Sequence, residues 1–204
     1  MLVDDHAIVR AGFRRLLEQQ PDYHVVAEAA DAERAYALFV EHEPDIVVLD
    51  LSMPGASGLE TIRRIIVRQP AARILVFSMH EDASLAERAI QLGARGYVTK
   101  SSAPETLAAA VAEVVAGGLA LSPDIAQTLA ILKVTGEVNP MNVLSAREFE
   151  IFRLLATGES VVAIASLLSL SSKTVANYHS LIKQKLGITT DVELVLLAQR
   201  QKVS

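Results

Sequence analysis

Asp45-Ile46-Val47-Val48-Leu49-Asp50 decides the fold: four apolar residues, three of them β-branched, run straight into an acid. So short a run reads as a strand buried on both faces. The pattern recurs on either side. Met1-Leu2-Val3 stops at Asp4-Asp5, Ile74-Leu75-Val76-Phe77 stops at Ser78, and Gly96-Tyr97-Val98-Thr99 stops at Lys100. Helix-length segments separate these runs, so the strands are predicted to be parallel, with right-handed crossovers. Their carboxyl ends then share one edge, where open α/β sheets bind ligands. That edge collects three carboxylates, one ammonium and one hydroxyl, a set suited to a divalent metal and a phosphoryl group.

Outward from these runs the chain reads as five strand–helix units ending near residue 120, with strand two at His24–Ala29. Helices are predicted over Ala7–Gln20, Ala32–Glu43, Gly58–Gln69, Ser84–Leu92 and Pro104–Ala116. Ser57 and Glu60 make a capping box for the third. Ser122-Pro123 opens a further helix to about Val134, and Thr135-Gly136-Glu137-Val138-Asn139-Pro140 breaks the periodicity as a linker. The predicted division is 1–120, a linker helix and linker at 121–143, and 144–204. Beyond the linker only helices follow. Ser145 with Glu148 caps one, Ser160 a short second to Leu168, Ser171 or Ser172 a third that stops at Gly187, and Thr190 with Glu193 a fourth. The second and third, joined across Ser169-Leu170-Ser171, have helix-turn-helix spacing.

Composition narrows the function. The 204 residues are 51% hydrophobic, enough for real cores. Residues 1–139 hold 12 lysines and arginines against 19 acids, a formal charge of −7, whereas 140–204 hold 7 against 5, or +2. That asymmetry predicts different partners for the two parts. The absence of cysteine excludes disulfides, thiolate catalysis and Cys-ligated zinc. The most apolar stretch, Thr106–Leu121, carries Glu113 and Gly117-Gly118 and is too short to span a membrane. No signal peptide is visible, and a cytoplasmic location is expected. Three apolar residues before Asp4 make a short central strand, so a few native residues are expected to precede Met1.

At the acidic edge, Asp5 and Asp50 can bind Mg²⁺ directly, with Asp4 acting through water. Three carboxylates this close repel, and Lys100 supplies the cation. Ser78 offers a hydroxyl to a further oxygen. The competing reading is that each acid merely caps a strand end; all five groups at one edge weigh against it.

These residues carry a resemblance. Val3-Asp4-Asp5-His6, Val47 to Gly55, Ser78-Met79-His80 and Gly93 to Lys100 resemble the receiver domain of two-component response regulators. Leu144-Ser145-x-Arg147-Glu148 and Ser171-x-Lys173-Thr174-Val175-x-Asn177 resemble the LuxR-type helix-turn-helix. Together they are similar to the NarL/FixJ class across nearly the whole chain, and Thr190-Asp191-Val192-Glu193-Leu194 leans toward the branch of the hexose-phosphate uptake regulator.

The resemblance implies a flavodoxin-like (βα)5 receiver followed by a small four-helix DNA-binding domain. It implies that Asp50 accepts a phosphoryl group from a sensor histidine kinase with Mg²⁺, that the Ser52 carbonyl joins Asp4, Asp5 and Asp50 around the metal, and that Lys100 neutralises developing charge. Ser78 then moves onto the phosphoryl group and Tyr97 rotates inward, which promotes a homodimer. Tyr97 also reads as a half-buried strand aromatic, and His80 as a surface loop residue or a tuner of hydrolysis.

On the helix from Ser171, the stripe Val175, His179, Ile182, Leu186 should pack inward and Lys173, Asn177, Ser180, Gln184 should face out. Lys173 and Thr174 suit phosphates near the helix N-terminus, Asn177 reads adenine, Ser180 approaches base edges, and Lys183 and Lys185 touch backbone of double-stranded DNA. Ala176 and Ser180 stand where the class often has basic residues, and Val161-Val162-Ala163 where its scaffold helix is polar. His179 sits at a usually apolar position. Two other functions remain in play. One is a phosphorelay adaptor whose helical tail binds protein. The other is a Mg²⁺-dependent aspartyl phosphatase of the haloacid dehalogenase type, which needs a second acid where Ser52 stands.

Overall fold

The computed structural model describes residues 1–53, 58–79, 83–102, 104–135 and 140–201. The Ser57 cap and His80 lie outside these residues.

Six strands form one parallel sheet: β1 (Leu2–Val3), β2 (Glu28–Ala29), β3 (Val47–Leu49), β4 (Ile74–Ser78), β5 (Gly96–Thr99) and β6 (Ala120–Leu121), in the order β2-β1-β3-β4-β5-β6. All pairings are parallel, with Val3 opposite Leu49, Leu49 opposite Val76, and Ser78 opposite Thr99. This register aligns the carboxyl ends of β1, β3, β4 and β5. Helices α1 (Ala7–Leu17), α2 (Ala32–His42), α3 (Gly58–Arg68), α4 (Ala83–Gln91) and α5 (Pro104–Val115) connect the strands. Two buried clusters flank the sheet. Val3, Leu49, Val76 and Tyr97 lie in one, and Leu2, Val48, Leu75 and Val98 in the other, the alternation a strand covered on both faces must show.

The sheet differs from its sequence reading in two places. A sixth strand is present, with Ala120 beside Gly96 and Leu121 beside Tyr97. At two residues, separated from Gly117-Gly118 by Leu119, it is too short to show periodicity. Strand two shrinks to Glu28–Ala29 because side chains occupy the backbone before it: Arg14 donates to the Val25 carbonyl and Glu18 accepts from the Val25 amide.

Helix α6 (Pro123–Thr135) follows β6 and packs against α4. A 3₁₀ turn (Pro140–Val143) leads to α7 (Ala146–Ala156), α8 (Val161–Leu167), α9 (Ser172–Leu186) and α10 (Asp191–Arg200). The caps are those expected. Ser145 with Glu148, and Thr190 with Glu193, form reciprocal capping boxes, and Ser160 and Ser171 accept from Ala163 and Thr174. Gly187 ends α9 at φ +66°, where only glycine avoids a steric cost.

Ser169, in the turn between α8 and α9, also adopts a left-handed φ of 52°. Left-handed backbone costs a residue with a Cβ about 1–2 kcal/mol. Ser169→Gly is therefore expected to stabilise the C-terminal domain by about 1 kcal/mol, net of the entropy glycine adds to the unfolded chain. Urea unfolding followed by circular dichroism checks it; an unchanged or lower midpoint would show that this turn is unstrained.

Candidate phosphoacceptor site and nucleic-acid interface

The loops after β1, β3 and β5 bring three charges together. The Lys100 ammonium lies 2.5 Å from Asp4 Oδ2 and 2.7 Å from Asp50 Oδ2. Both carboxylates are buried, Asp50 to 2% exposure. Burial pulls the Lys100 ammonium down, but its bonds to Asp4 and Asp50 outweigh that and hold its pKa above the usual lysine value. The second Asp50 oxygen accepts from the Ser52 amide at 3.0 Å, and Asp4 Oδ1 accepts from the His6 amide at 2.8 Å. Ser78 is fully buried at the end of β4, and its carbonyl accepts from the Lys100 amide at 2.8 Å. It therefore sits between the strand that ends at Asp50 and the strand that ends at Lys100.

Asp5 stands apart from the ion pair. Its Oδ1 is buried without a hydrogen bond among the described residues, although His6 Nδ1 is 2.7 Å away. Donor atoms of Asp4, Asp5 and His6 lie within 4.8 Å of one another. An orphaned carboxylate oxygen beside Asp4 fits a hard divalent cation. Gly58, at the start of α3, packs closely on Leu51: a Cβ there would meet Leu51 Cα at 2.6 Å and the Asp50 carbonyl at 3.1 Å.

Tyr97 departs from expectation. It is fully buried, in the same cluster as Ile125 of α6. Strand β6 lies beside it and Ser122 donates to its carbonyl. The half-buried reading of Tyr97 therefore does not hold.

Sequence reasoning assigned no role to Arg10. Its guanidinium donates to the Asp4 carbonyl at 2.5 Å and lies 3.4 Å from Glu28, bracing the β1–α1 loop from behind. A cation one turn into the helix that follows Asp4-Asp5 was the available signal.

In the C-terminal domain, α9 buries Val175 and Ile182 and leaves Lys173, Ala176, Asn177, Ser180 and Gln184 exposed. His179 is half-buried rather than packed in the seam, its imidazole 2.7 Å from Asp191. Lys183 pairs with the same Asp191 at 2.6 Å, and Lys185 with Glu148 at 2.7 Å. Thr174 shares a hydroxyl bond with Ser171. Arg147 donates to the Leu168 carbonyl at 2.8 Å and so pins the helix-turn-helix corner. The partners Glu148 and Asp191 were missed because they reach α9 only through the fold.

The two domains touch. Leu51, Leu59 and Leu85 of the first line a small cavity with Phe149, Glu150 and Arg153 of α7. Arg88 donates to the Leu144 carbonyl and Ser84 to that of Gln201. The outward stripe of α9 stays exposed in this docked arrangement.

Residues 1–112 match the response regulator receiver domain, and residues 142–198 match the bacterial regulatory proteins of the luxR family. The chain belongs to the response regulators. It is similar to the response regulator GacA of Pseudomonas aeruginosa, 39% identical over 98% of this chain and 94% of the relative, and to UvrY of Escherichia coli, 38% identical over 98% and 93%. These relatives place it in the NarL/FixJ class and do not establish the hexose-phosphate branch. Among solved structures it resembles a LuxR-family two-component response regulator from Aurantimonas, 55% identical over 66% of this chain and 96% of that one, TM-score 0.64. It also resembles Salmonella RcsB bound to promoter rprA with phosphomimetic beryllofluoride, 29% identical over 97% and 96%, TM-score 0.70.

Within this response regulator Glu148 is a buried acid that holds α7 to α9. Burial pushes its pKa up, but bonds from Lys185 and Ser145 outweigh it and keep the carboxyl below its usual 4.5. Such a group stabilises the fold fully above its unfolded pKa, and that contribution is lost as pH falls through the lowered folded value. Glu148→Gln is expected to cost about 2 kcal/mol at neutral pH and to flatten the acid side of the stability profile. Urea midpoints at pH 7 and pH 4 measure both; equal losses at the two pH values would exclude the charge as the cause.

Proposed function

We propose that this response regulator is a cytoplasmic transcription factor in which Asp50 accepts a phosphoryl group from a sensor histidine kinase, with Mg²⁺, and that the modified protein dimerises and binds specific DNA. One observation carries the reading: the Lys100 ammonium spans the Asp4 and Asp50 carboxylates at the carboxyl edge of a parallel sheet, in a chain that continues into a helix-turn-helix. Among the described residues no helix is long and apolar enough to cross a membrane.

The steps follow from the side chains. Asp50 offers unshared lone pairs on oxygens already oriented by Lys100 and the Ser52 amide. Its carboxylate forms the new O–P bond as the phosphorus leaves the kinase imidazole. Asp5, Asp50 and the Ser52 carbonyl would hold Mg²⁺, with Asp4 through water, and the ion would supply counter-charge for the phosphoryl oxygens. Lys100 stays protonated throughout, because its pKa lies above the usual lysine value. On transfer it exchanges Asp50 for a phosphoryl oxygen and remains bound to Asp4. Ser78, buried beside it, donates to another. Such catalysis is positioning and electrostatics.

For DNA, Lys173, Thr174, Asn177 and Ser180 form the contact face, while Lys183 and Lys185 reach phosphates only by sharing Asp191 and Glu148. A monomer therefore makes few phosphate contacts, each contributing about −0.9 to the slope of log affinity against log salt. Two copies about one helical turn apart double them. Since the reading face is already exposed, pairing two copies rather than uncovering one carries the switch. The LuxR-family match favours DNA over a protein-binding adaptor tail.

Acetyl phosphate with Mg²⁺ is expected to add one phosphoryl group, read as intact mass, and Asp50→Asn to abolish it. An undiminished adduct in Asp50→Asn would overturn the assignment. Beryllofluoride is expected to convert monomer to dimer in sedimentation velocity and to steepen the salt dependence of DNA binding. A persistent monomer with tight DNA binding would defeat the dimerisation mechanism.

A further inference from the structure

We propose that α9 reads adenine–thymine pairs: Asn177 takes the adenine edge, and Ala176 takes a thymine methyl beside it. The proposal rests on the DNA-binding reading above and names its target.

The face that meets bases is nearly free of charge. Three lysines lie on α9, and two are committed elsewhere: Lys183 to Asp191 and the Thr189 carbonyl, Lys185 to the buried Glu148. Lys185 cannot leave without stranding a carboxylate that is 3% exposed. Lys173, the second residue of the helix, lies where backbone N–H groups and its own ammonium suit a phosphate. Guanine is selected through its O6 and N7 acceptors by arginine or lysine. No such side chain remains on the exposed stripe beyond Lys173.

What remains selects the other pair. Asn177 is exposed, and its carboxamide pairs a donor with an acceptor, the complement of adenine N7 and N6. Ala176 is exposed one residue earlier and presents only a methyl group, which packs on the thymine 5-methyl. Ser180 narrows the choice further. Its hydroxyl donates to the Ala176 carbonyl at 3.1 Å, so toward DNA it offers lone pairs alone. It accepts from adenine N6 or cytosine N4 and gives nothing to guanine. Leu181, partly exposed on the flank of the same face, adds apolar surface beside it.

The test uses full-length protein activated with beryllofluoride and a randomised duplex pool, followed by anisotropy titration of the enriched duplex. The expected half-site has adjacent A·T pairs at its discriminated positions. Changing the Asn177 pair to G·C is expected to weaken wild-type binding at least about tenfold, the loss of one bidentate contact. Replacing the adjacent thymine by uracil removes one methyl and is expected to cost about fourfold. Asn177→Ala should erase the first penalty and Ala176→Gly the second, both leaving the salt slope unchanged. Lys173→Ala should instead lower the slope by about 1 per protomer, about 2 for the dimer, for every sequence. Enriched half-sites discriminated at G·C pairs, or full adenine selectivity in Asn177→Ala, would overturn the proposal while leaving DNA binding intact. No enrichment and no salt-dependent binding would overturn the DNA-binding reading with it.

Discussion

Two buried carboxylates cannot share one pocket without a cation between them. At an effective dielectric of 20, two like charges about 4 Å apart repel by about 4 kcal/mol. Lys100 resolves the conflict, and its demands shape the sheet. It leaves the end of β5 and must pass β4 to reach Asp50 on β3 and Asp4 on β1. Adjacent strands are about 4.8 Å apart, so the lysine stem and the aspartate side chain together bridge about two spacings. Only a long, unbranched stem does this, and only if the residue beneath is small. Ser78 is that residue, at the end of β4. Asp4, Asp50, Ser78 and Lys100 are therefore one geometric requirement distributed over four strands.

The same edge touches the rest of the molecule through Leu51. It follows Asp50, it lies against the start of α3 where Gly58 admits no Cβ, and it lines the small cavity with Leu85 and Phe149. Events at Asp50 thus border a packed seam between the domains. Under the proposed phosphorylation of Asp50, any difference in seam packing between modified and unmodified protein biases phosphorylation and docking reciprocally. Helix α4 strengthens the seam through Arg88 on the Leu144 carbonyl and Ser84 on that of Gln201.

Legibility in the sequence followed the distance over which each interaction acts. Strand ends at Asp4, Asp50, Ser78 and Lys100 were readable because apolar runs stop there, and the capping boxes at Ser145 and Thr190 because their partners lie three residues on. Strand β6 was not readable: two residues carry no period, and only pairing with Gly96 and Tyr97 makes them a strand. Tyr97 looked half-buried for the same reason, since its cover comes from segments beyond residue 118. His24–Val26 read as strand because propensity is blind to Arg14 and Glu18, which take the Val25 backbone instead. Lysines 183 and 185 read as free cations because their partners lie on other helices, Asp191 on α10 and Glu148 on α7, 37 residues from Lys185. Long-range electrostatics decides which charges a surface presents, and a local reading cannot see it.

The division of labour along α9 has a bearing on how such regulators multiply. Residues that fasten the helix, Val175, Ile182, Lys183 and Lys185, are separate from those that face outward, Ala176, Asn177 and Ser180. Exposed substitutions away from packing and ion pairs usually change stability by less than about 0.5 kcal/mol. With α9 reading DNA as proposed, a copy made by gene duplication can therefore drift toward a new set of promoters one outward side chain at a time. Each intermediate remains a folded regulator, so rewiring of a transcriptional network need never pass through a dead protein.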